Sequence, residues 1–225
     1  MTVHSVRPPQ LADSAADGAS ADDPRRRRLG RWKMLLVLLM CAAPVIASYF
    51  TYFVIRPEGR TNYSSLILPT RTMPALALAL RTLDGVPVTA ASLRGQWLLV
   101  VVAPSSCDEA CQKRLFTQRQ LREMLGRERD RLDKVWLVTD AAEVAAPLRA
   151  AMQAGEPTTL LRVDAAALAQ WLQPEAGREL QDHMYVVDPM GEWMMRVPAQ
   201  AEPARVKRDL DKLLRASSFW DTAGR

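Results

Sequence analysis

The sequence predicts an α/β fold, a mixed central sheet flanked by helices, joined to one N-terminal transmembrane helix. Three observations predict it: a long uncharged apolar segment near the start, short apolar runs of strand length, and amphipathic helical stretches between those runs. The chain has 225 residues, of which 48% are hydrophobic. That is enough for one domain of ordinary size in addition to the apolar segment.

The transmembrane helix is predicted over residues 34–55, which are 22 residues without a formal charge. A helix of that length spans about 33 Å at roughly 1.5 Å per residue, which matches a bilayer core of about 30 Å. Six basic residues lie between Arg25 and Lys33, and only Arg56 and Arg60 follow closely. This asymmetry places the N-terminus in the cytoplasm. The length of the segment, with no clear cleavage site after it, favours an anchor over a cleaved signal peptide.

The net charge of +5 does not indicate a nucleic-acid partner. Residues 1–33 hold seven Lys/Arg and four Asp/Glu, so +3 of the excess flanks the membrane segment. The same residues, rich in Ala, Asp, Ser and Pro, are predicted to be a disordered cytoplasmic tail. The other predicted segments are a linker at 56–65, the folded domain at 66–216 and a C-terminal tail at 217–225.

The folded domain is predicted from the order of its elements. Trp97–Ala103 is apolar throughout, which is typical of a central strand covered on both faces. A helix over 106–126 and a second buried strand at 135–138 follow, so these two strands should be parallel. The remaining predicted elements are a hairpin around Asp84–Gly85, helices at 141–153 and 164–172, strands at 184–187 and 193–197, and a helix at 202–215. This order is that of a thioredoxin-like fold.

The candidate site is the pair Cys107 and Cys111, at the predicted junction of the first central strand and its helix. Ligands of open α/β sheets sit at this edge, and a helix N-terminus stabilises a thiolate. Residues four apart share a helix face, so the two sulfurs can approach disulfide range or one metal ion. We expect the pair to be reachable from solvent, because both a metal role and a redox role require access to the sulfurs, and a buried pair would count against both. The alternatives are a structural disulfide or two buried small side chains.

The stretch WLLVVVAPSSCDEAC, residues 97–111, resembles the SCO/SenC family. Its members are membrane-anchored thioredoxin-fold proteins of cytochrome c oxidase assembly that bind copper through C-x-x-x-C and a distant histidine. The resemblance implies Cys107 and Cys111 as catalytic or copper-binding residues, with His183 as the third copper ligand. It also implies the periplasmic side of a bacterial inner membrane, with a terminal oxidase subunit or another redox client as partner.

Three functions stay open at this point: copper delivery, a thiol–disulfide reductase that keeps client cysteines reduced, and a non-catalytic assembly scaffold. Two thiolates and an imidazole suit copper. The alternative for His183 is a polar residue at a strand start, hydrogen-bonded locally. Cys41 lies inside the predicted span and is interpreted as a small apolar filler. Met190, Met194 and Met195 are interpreted as packing residues.

Overall fold

The residues that the computed structural model describes are 24–55, 62–74 and 78–219. Predictions for three other segments lie outside the described residues: the tail 1–23 with His4, the linker residues 56–61, and the end of the C-terminal tail, 220–225. The chain divides into two units, Met1–Gly59 and Arg60–Arg225.

The first unit contains helix α1, Pro24–Phe50, which continues as a π-helical turn, Thr51–Ile55. The helix begins ten residues before the predicted position 34, so the basic cluster is helical and not part of a disordered tail. Proline is favoured in the first helical turn, and arginine is a good helix former, which explains the earlier start. Its stretch Arg28–Phe53 is long and apolar enough to cross a membrane.

The second unit is built on a seven-stranded sheet in the order β1-β7-β6-β3-β4-β5-β2. Its strands are β1 Ser65–Thr72, β2 Arg81–Thr82, β3 Trp97–Ala103, β4 Leu132–Val138, β5 Thr159–Arg162, β6 Met184–Val187 and β7 Glu192–Val197. β3, β4 and β5 are parallel, as the β-α-β order predicted for β3 and β4, and the other pairings are antiparallel. The predicted hairpin at Asp84–Gly85 is a tight turn with an isolated antiparallel β-bridge between Arg81 and Pro87.

Helices cover both faces of this sheet. They are α2 Glu109–Met124, α3 Ala146–Gln153, α4 Ala165–Trp171 and α5 Pro203–Ala216. On α5, Val206, Leu210 and Leu214 are buried at four-residue spacing, so one stripe faces the sheet. Burying each such side chain contributes roughly 1.5–3 kcal/mol. This confirms the predicted fold class, a mixed sheet between helical layers.

Two separate apolar cores result from the alternation of side chains along the strands. Trp97, Leu99, Val101 and Ala103 of β3 belong to the core that includes residues of α2 and α5. Leu98, Val100 and Val102 belong to the core on the other face, which includes Leu168 and Trp171 of α4. Neighbouring residues of β3 therefore belong to different chemical environments.

Residues predicted as linker fasten the start of the second unit to α5. The amide of Ser64 donates to the buried Asp209 carboxylate at 2.7 Å. The Tyr63 hydroxyl donates to the Gln200 carbonyl at 3.0 Å and accepts from the Glu202 amide at 3.2 Å. The folded part therefore begins before residue 66, because a buried carboxylate needs this amide partner.

Candidate functional site

A short turn, residues 104–108, connects the end of β3 to the start of α2. The Ser105 amide donates to both carboxylate oxygens of Asp140, at 3.2 and 3.1 Å. The Cys107 amide donates to the Pro104 carbonyl at 3.2 Å. The strand and the loop after β4 thus hold the turn at the carboxyl edge of the parallel strands.

Helix α2 begins at Glu109, three residues after the predicted start at Ser106, because Asp108 is its N-cap. The Asp108 carboxylate accepts the Cys111 amide at 2.8 Å, which satisfies one of the unpaired amides of the first turn. Cys107 is therefore outside the helix, and its φ of +28° is in the left-handed region that non-glycine residues rarely adopt. The Gln112 side-chain amide donates to the Cys107 carbonyl at 3.1 Å.

Cys107 and Cys111 form a disulfide, with their Cα atoms 5.1 Å apart. That separation is ordinary for a disulfide. Cys111 belongs to the first turn of α2, while Cys107 belongs to the connecting turn, so the two sulfurs are joined across the helix boundary. Among the described cysteines, only Cys41 is outside this bond.

The expectation that solvent reaches this pair is wrong for the oxidised state. Cys107 is 2% exposed and Cys111 is 1% exposed, and both belong to the core shared by β3, α2 and α5. Cys111 occupies the inward face of α2, four residues before the buried Leu115. The side chains around it in sequence, Ser106 and Asp108 to Ala110, are exposed. The disulfide thus lies directly beneath a surface turn.

His183 lies immediately before β6, with none of its surface exposed. Its Nδ1 donates to the Val197 carbonyl at 2.9 Å, and its Nε2 accepts the Glu175 amide at 3.2 Å. This pattern assigns the neutral Nδ1–H tautomer. Burial lowers the pKa of His183 below its ordinary value, outweighing the opposing effect of the bond to Val197.

The sheet separates His183 from the cysteines. Met184 and Val186 of β6 belong to the same core as the cysteines, whereas Tyr185 belongs to the opposite core. The His183 ring contacts Tyr185 edge to face, with centroids 6.3 Å apart. This argues against His183 as a ligand beside the cysteines, because both ring nitrogens bond to the backbone and the ring contacts a residue of the opposite core. Within the described residues, no three His, Cys, Asp or Glu side chains cluster as a metal site.

A polar groove of about 600 Å³ lies beside the surface turn. One wall is α2, with Ala110, Lys113 and Arg114, and the other includes Asp182 and Met184 at the start of β6. Met184 is only 2% exposed. The methionines predicted from the sequence to be worth considering were those of β7 and its turn, not Met184, whose position depends on the register of β6 with β3.

Comparisons with known proteins agree with this architecture. A family model described as "Transmembrane-like, thioredoxin-like, C-terminal domain" matches residues 97–217, more than half of the chain. A second, "Transmembrane-like, N-terminal domain", matches residues 24–54, which with the apolar α1 supports a membrane anchor. No curated protein matches the chain.

Solved structures with a similar fold include Sco proteins. Apo Sco1 from Thermus thermophilus is 19% identical at a TM-score of 0.50, over 70% of this chain and 99% of that chain. A putative electron transport protein from Aquifex aeolicus VF5 is 10% identical at 0.51, over 66% and 98%. Yeast Sco1 with copper bound is 14% identical at 0.49, over 70% and 96%. The Thermus thermophilus structure confirms the predicted resemblance to SCO/SenC proteins at the level of fold.

Proposed function

Because this chain belongs to the transmembrane-like, thioredoxin-like family, we propose that it is a membrane-anchored thiol–disulfide protein acting on the cysteines of a client. The observation that carries the proposal is the Cys107–Cys111 disulfide at the junction of β3 and α2. Reactive groups of open α/β sheets sit at this edge. The first turn of α2 stabilises a thiolate through the helix dipole.

The two cysteines have different roles in this proposal. In the reduced protein, the Cys107 thiolate attacks a client disulfide, forms a bond to one client sulfur and releases the other as a thiolate. The Cys111 thiolate then attacks Cys107, restores the Cys107–Cys111 bond and releases the reduced client. The client gains two electrons and the pair loses two, so a separate dithiol donor must reduce the pair again. Cys107 is the attacking sulfur because it lies in the turn, whereas Cys111 is fixed in the helix.

Burial of the disulfide sets the rate at which the pair is reduced again. A donor thiolate must displace the turn from Ser106 to Asp108 before it can reach either sulfur. That displacement breaks the bond from the Cys111 amide to Asp108. We therefore expect slower reduction than for an exposed disulfide, without a change in the number of electrons exchanged.

We also propose the orientation that the charge asymmetry predicts. The N-terminus faces the cytoplasm, and the thioredoxin-like unit is on the periplasmic side of a bacterial inner membrane. A disulfide is consistent with an oxidising compartment. Tyr63 and Ser64, which were predicted as linker, are bonded to this unit.

The proposed client belongs to cytochrome c oxidase biogenesis, either a terminal oxidase subunit or another redox protein of the same membrane. This is supported by the resemblance of residues 97–111 to the SCO/SenC family and by the similarity in fold to Sco1. The anchor would keep the pair close to a membrane client.

Copper delivery is the second candidate, and it is favoured by the adjacency of the two sulfurs. Once reduced, Cys107 and Cys111 offer two soft ligands that suit Cu(I). His183 does not complete this set, because its nitrogens are bonded to Glu175 and Val197. Any third donor must come from the face of the sheet that holds the cysteines.

A redox titration of the full-length protein in detergent tests the thiol proposal. The protein is equilibrated natively in glutathione buffers of graded potential and quenched with acid, and its free thiols are then counted by alkylation in denaturant. We expect one reversible two-electron transition, abolished in Cys107→Ser and Cys111→Ser. Cys41→Ser is the matched control and should titrate as the wild type does. If either cysteine variant lost the transition but still supported full function in cells, a non-catalytic assembly scaffold would be favoured.

One result of this titration would contradict the thiol proposal. If the pair resists reduction across this range unless the protein is first unfolded, the disulfide is structural and the thiol proposal fails. His183→Ala should leave the transition in place, because the His183 ring bonds to Glu175 and Val197 and contacts Tyr185 of the core opposite to the cysteines.

A further inference from the structure

We propose that the reduced protein binds one Cu(I) through three sulfurs, those of Cys107 and Cys111 and the thioether of Met184. This inference rests on the copper branch of the proposed function and does not require thiol exchange with a client. In this proposal Met184 takes the place of His183 as the third ligand. Both nitrogens of His183 are bonded to backbone groups, whereas Met184 lies on the cysteine side of the sheet.

Strand register brings Met184 to the site. β6 runs antiparallel to β3 and pairs Met184 with Val101, two residues before β3 ends at Ala103. Met184 is therefore at the same end of the sheet as the turn that carries Cys107. Of the β6 residues, Met184 is the nearest to that end.

Strand alternation directs the Met184 side chain to the cysteine face. Met184, Cys107 and Cys111 belong to one core cluster together with Val101 and Ala103. Met184 also lines the groove with Ala110, the residue directly before Cys111. The shared core and the groove shared with Ala110 thus place the thioether on the cysteine side of the sheet, at the end where the pair lies.

The chemistry of this donor set fits Cu(I). Thiolates and thioethers are soft ligands that select Cu(I) over harder ions. In the disulfide-bonded protein all three residues are at most 2% exposed, so their side chains are shielded from water there. Two thiolates and one monovalent cation leave a net charge of −1, and the neutral thioether adds a ligand without adding charge.

The loading step balances with one named co-reactant. A dithiol reductant supplies two electrons and two protons to the disulfide and becomes a disulfide itself. Binding of Cu(I) then displaces the two thiol protons, and the oxidation state of copper does not change. No electron is left unassigned.

The matched control is Met195, which lies on the neighbouring strand β7. It is buried in the same core cluster and pairs with Val186, one strand farther from β3. Methionine to leucine is a volume-conserving change, so both variants should fold. A melting curve of each variant checks this before copper is added.

The test titrates reduced, anaerobic full-length protein with Cu(I) against a chromophoric bicinchoninate chelator, and X-ray absorption then counts the sulfurs around copper. We expect one copper per chain with three sulfurs. Met184→Leu should leave two sulfurs and weaken binding about 10- to 100-fold, the range seen when one supporting group of a metal site is lost. Met195→Leu should match the wild type, and Cys107→Ser or Cys111→Ser should lose binding.

Equal affinity and equal sulfur counts in wild type and Met184→Leu would overturn the assignment. A wild type that binds no copper would overturn it as well, together with the copper branch. In that case the redox titration still decides the thiol proposal, so the two failures remain distinguishable.

Discussion

The cysteine turn, residues 104–108, and His183 lie at the same end of the sheet. Cys107 and His183 are both buried, but their side chains make different kinds of bond. Cys107 and Cys111 bond to each other in the core beneath α2 and α5. His183 bonds only to backbone groups, on the face that holds Tyr185. Consecutive residues of a strand face opposite sides of the sheet, and His183 directly precedes Met184. Two groups that lie near the same edge of a sheet therefore do not necessarily share a site.

The largest effect expected from this contrast is on stability, at His183. His183→Ala removes partners from the Glu175 amide and the Val197 carbonyl and leaves a cavity. The cost should be roughly 2–5 kcal/mol of unfolding free energy, since each unpaired buried group costs about 1–3 kcal/mol. Urea unfolding followed by the fluorescence of the buried tryptophans measures it. His4→Ala, at the only other histidine, should change nothing.

The disulfide should contribute less to stability than His183 does. Its cysteines are only four residues apart, so closing this loop removes little entropy from the unfolded chain. Reduction should lower the unfolding free energy by about 2 kcal/mol. The same urea titration with and without reductant gives this difference. A loss comparable to that of His183→Ala would mean that the pair is chiefly a structural crosslink.

The two regions should also differ in their response to pH. Burial depresses the pKa of His183, so its neutral form is favoured in the folded protein. Its contribution to stability is complete above its unfolded pKa of about 6.5 and is lost as pH falls toward the folded pKa. The slope cannot exceed about 1.4 kcal/mol per pH unit for one proton. The intact disulfide does not titrate.

Unfolding of wild type and His183→Gln between pH 8 and pH 5 isolates this contribution. The difference between the two should shrink as the pH falls, because the variant has no imidazole to protonate. A difference that stays constant with pH would show that His183 does not titrate in this window.

Much of the sheet could be predicted because its central strands are apolar runs with clear periodicity. β3 and β6 were predicted with the observed bounds, and their neighbours β4 and β7 were placed within three residues. β1 and β5 were missed. β1 contains Pro69 and an exposed Leu68, and β5 is only four residues long. Pairing with neighbouring strands, rather than local propensity, makes these segments strands.

The position of the site could be predicted from the sequence, but its burial and its complete set of residues could not. The spacing of Cys107 and Cys111 predicted a bonded or shared pair at the strand-to-helix junction. Their burial depended on where α2 begins, and Asp108 rather than Ser106 proved to be the cap. The separation of His183 from the cysteines depended on which face of the sheet each residue of β6 points to. Counting residues along the sequence does not determine this when a loop precedes the strand. Met184 became a candidate only once the register with β3 was known.

The smallest effect should come from Asp108, which belongs to the cysteine turn alone. Asp108→Ala removes the cap on the Cys111 amide and should cost about 1 kcal/mol. Asp108→Asn keeps an acceptor of comparable strength and should cost almost nothing, while removing a negative charge beside the thiols. The pH dependence of thiol alkylation in the reduced protein separates these roles. Because a neighbouring carboxylate disfavours a thiolate, Asp108→Asn should lower the pH at which the reduced pair is alkylated. An unchanged alkylation profile would mean that the cap, and not the charge, is what Asp108 contributes at this turn.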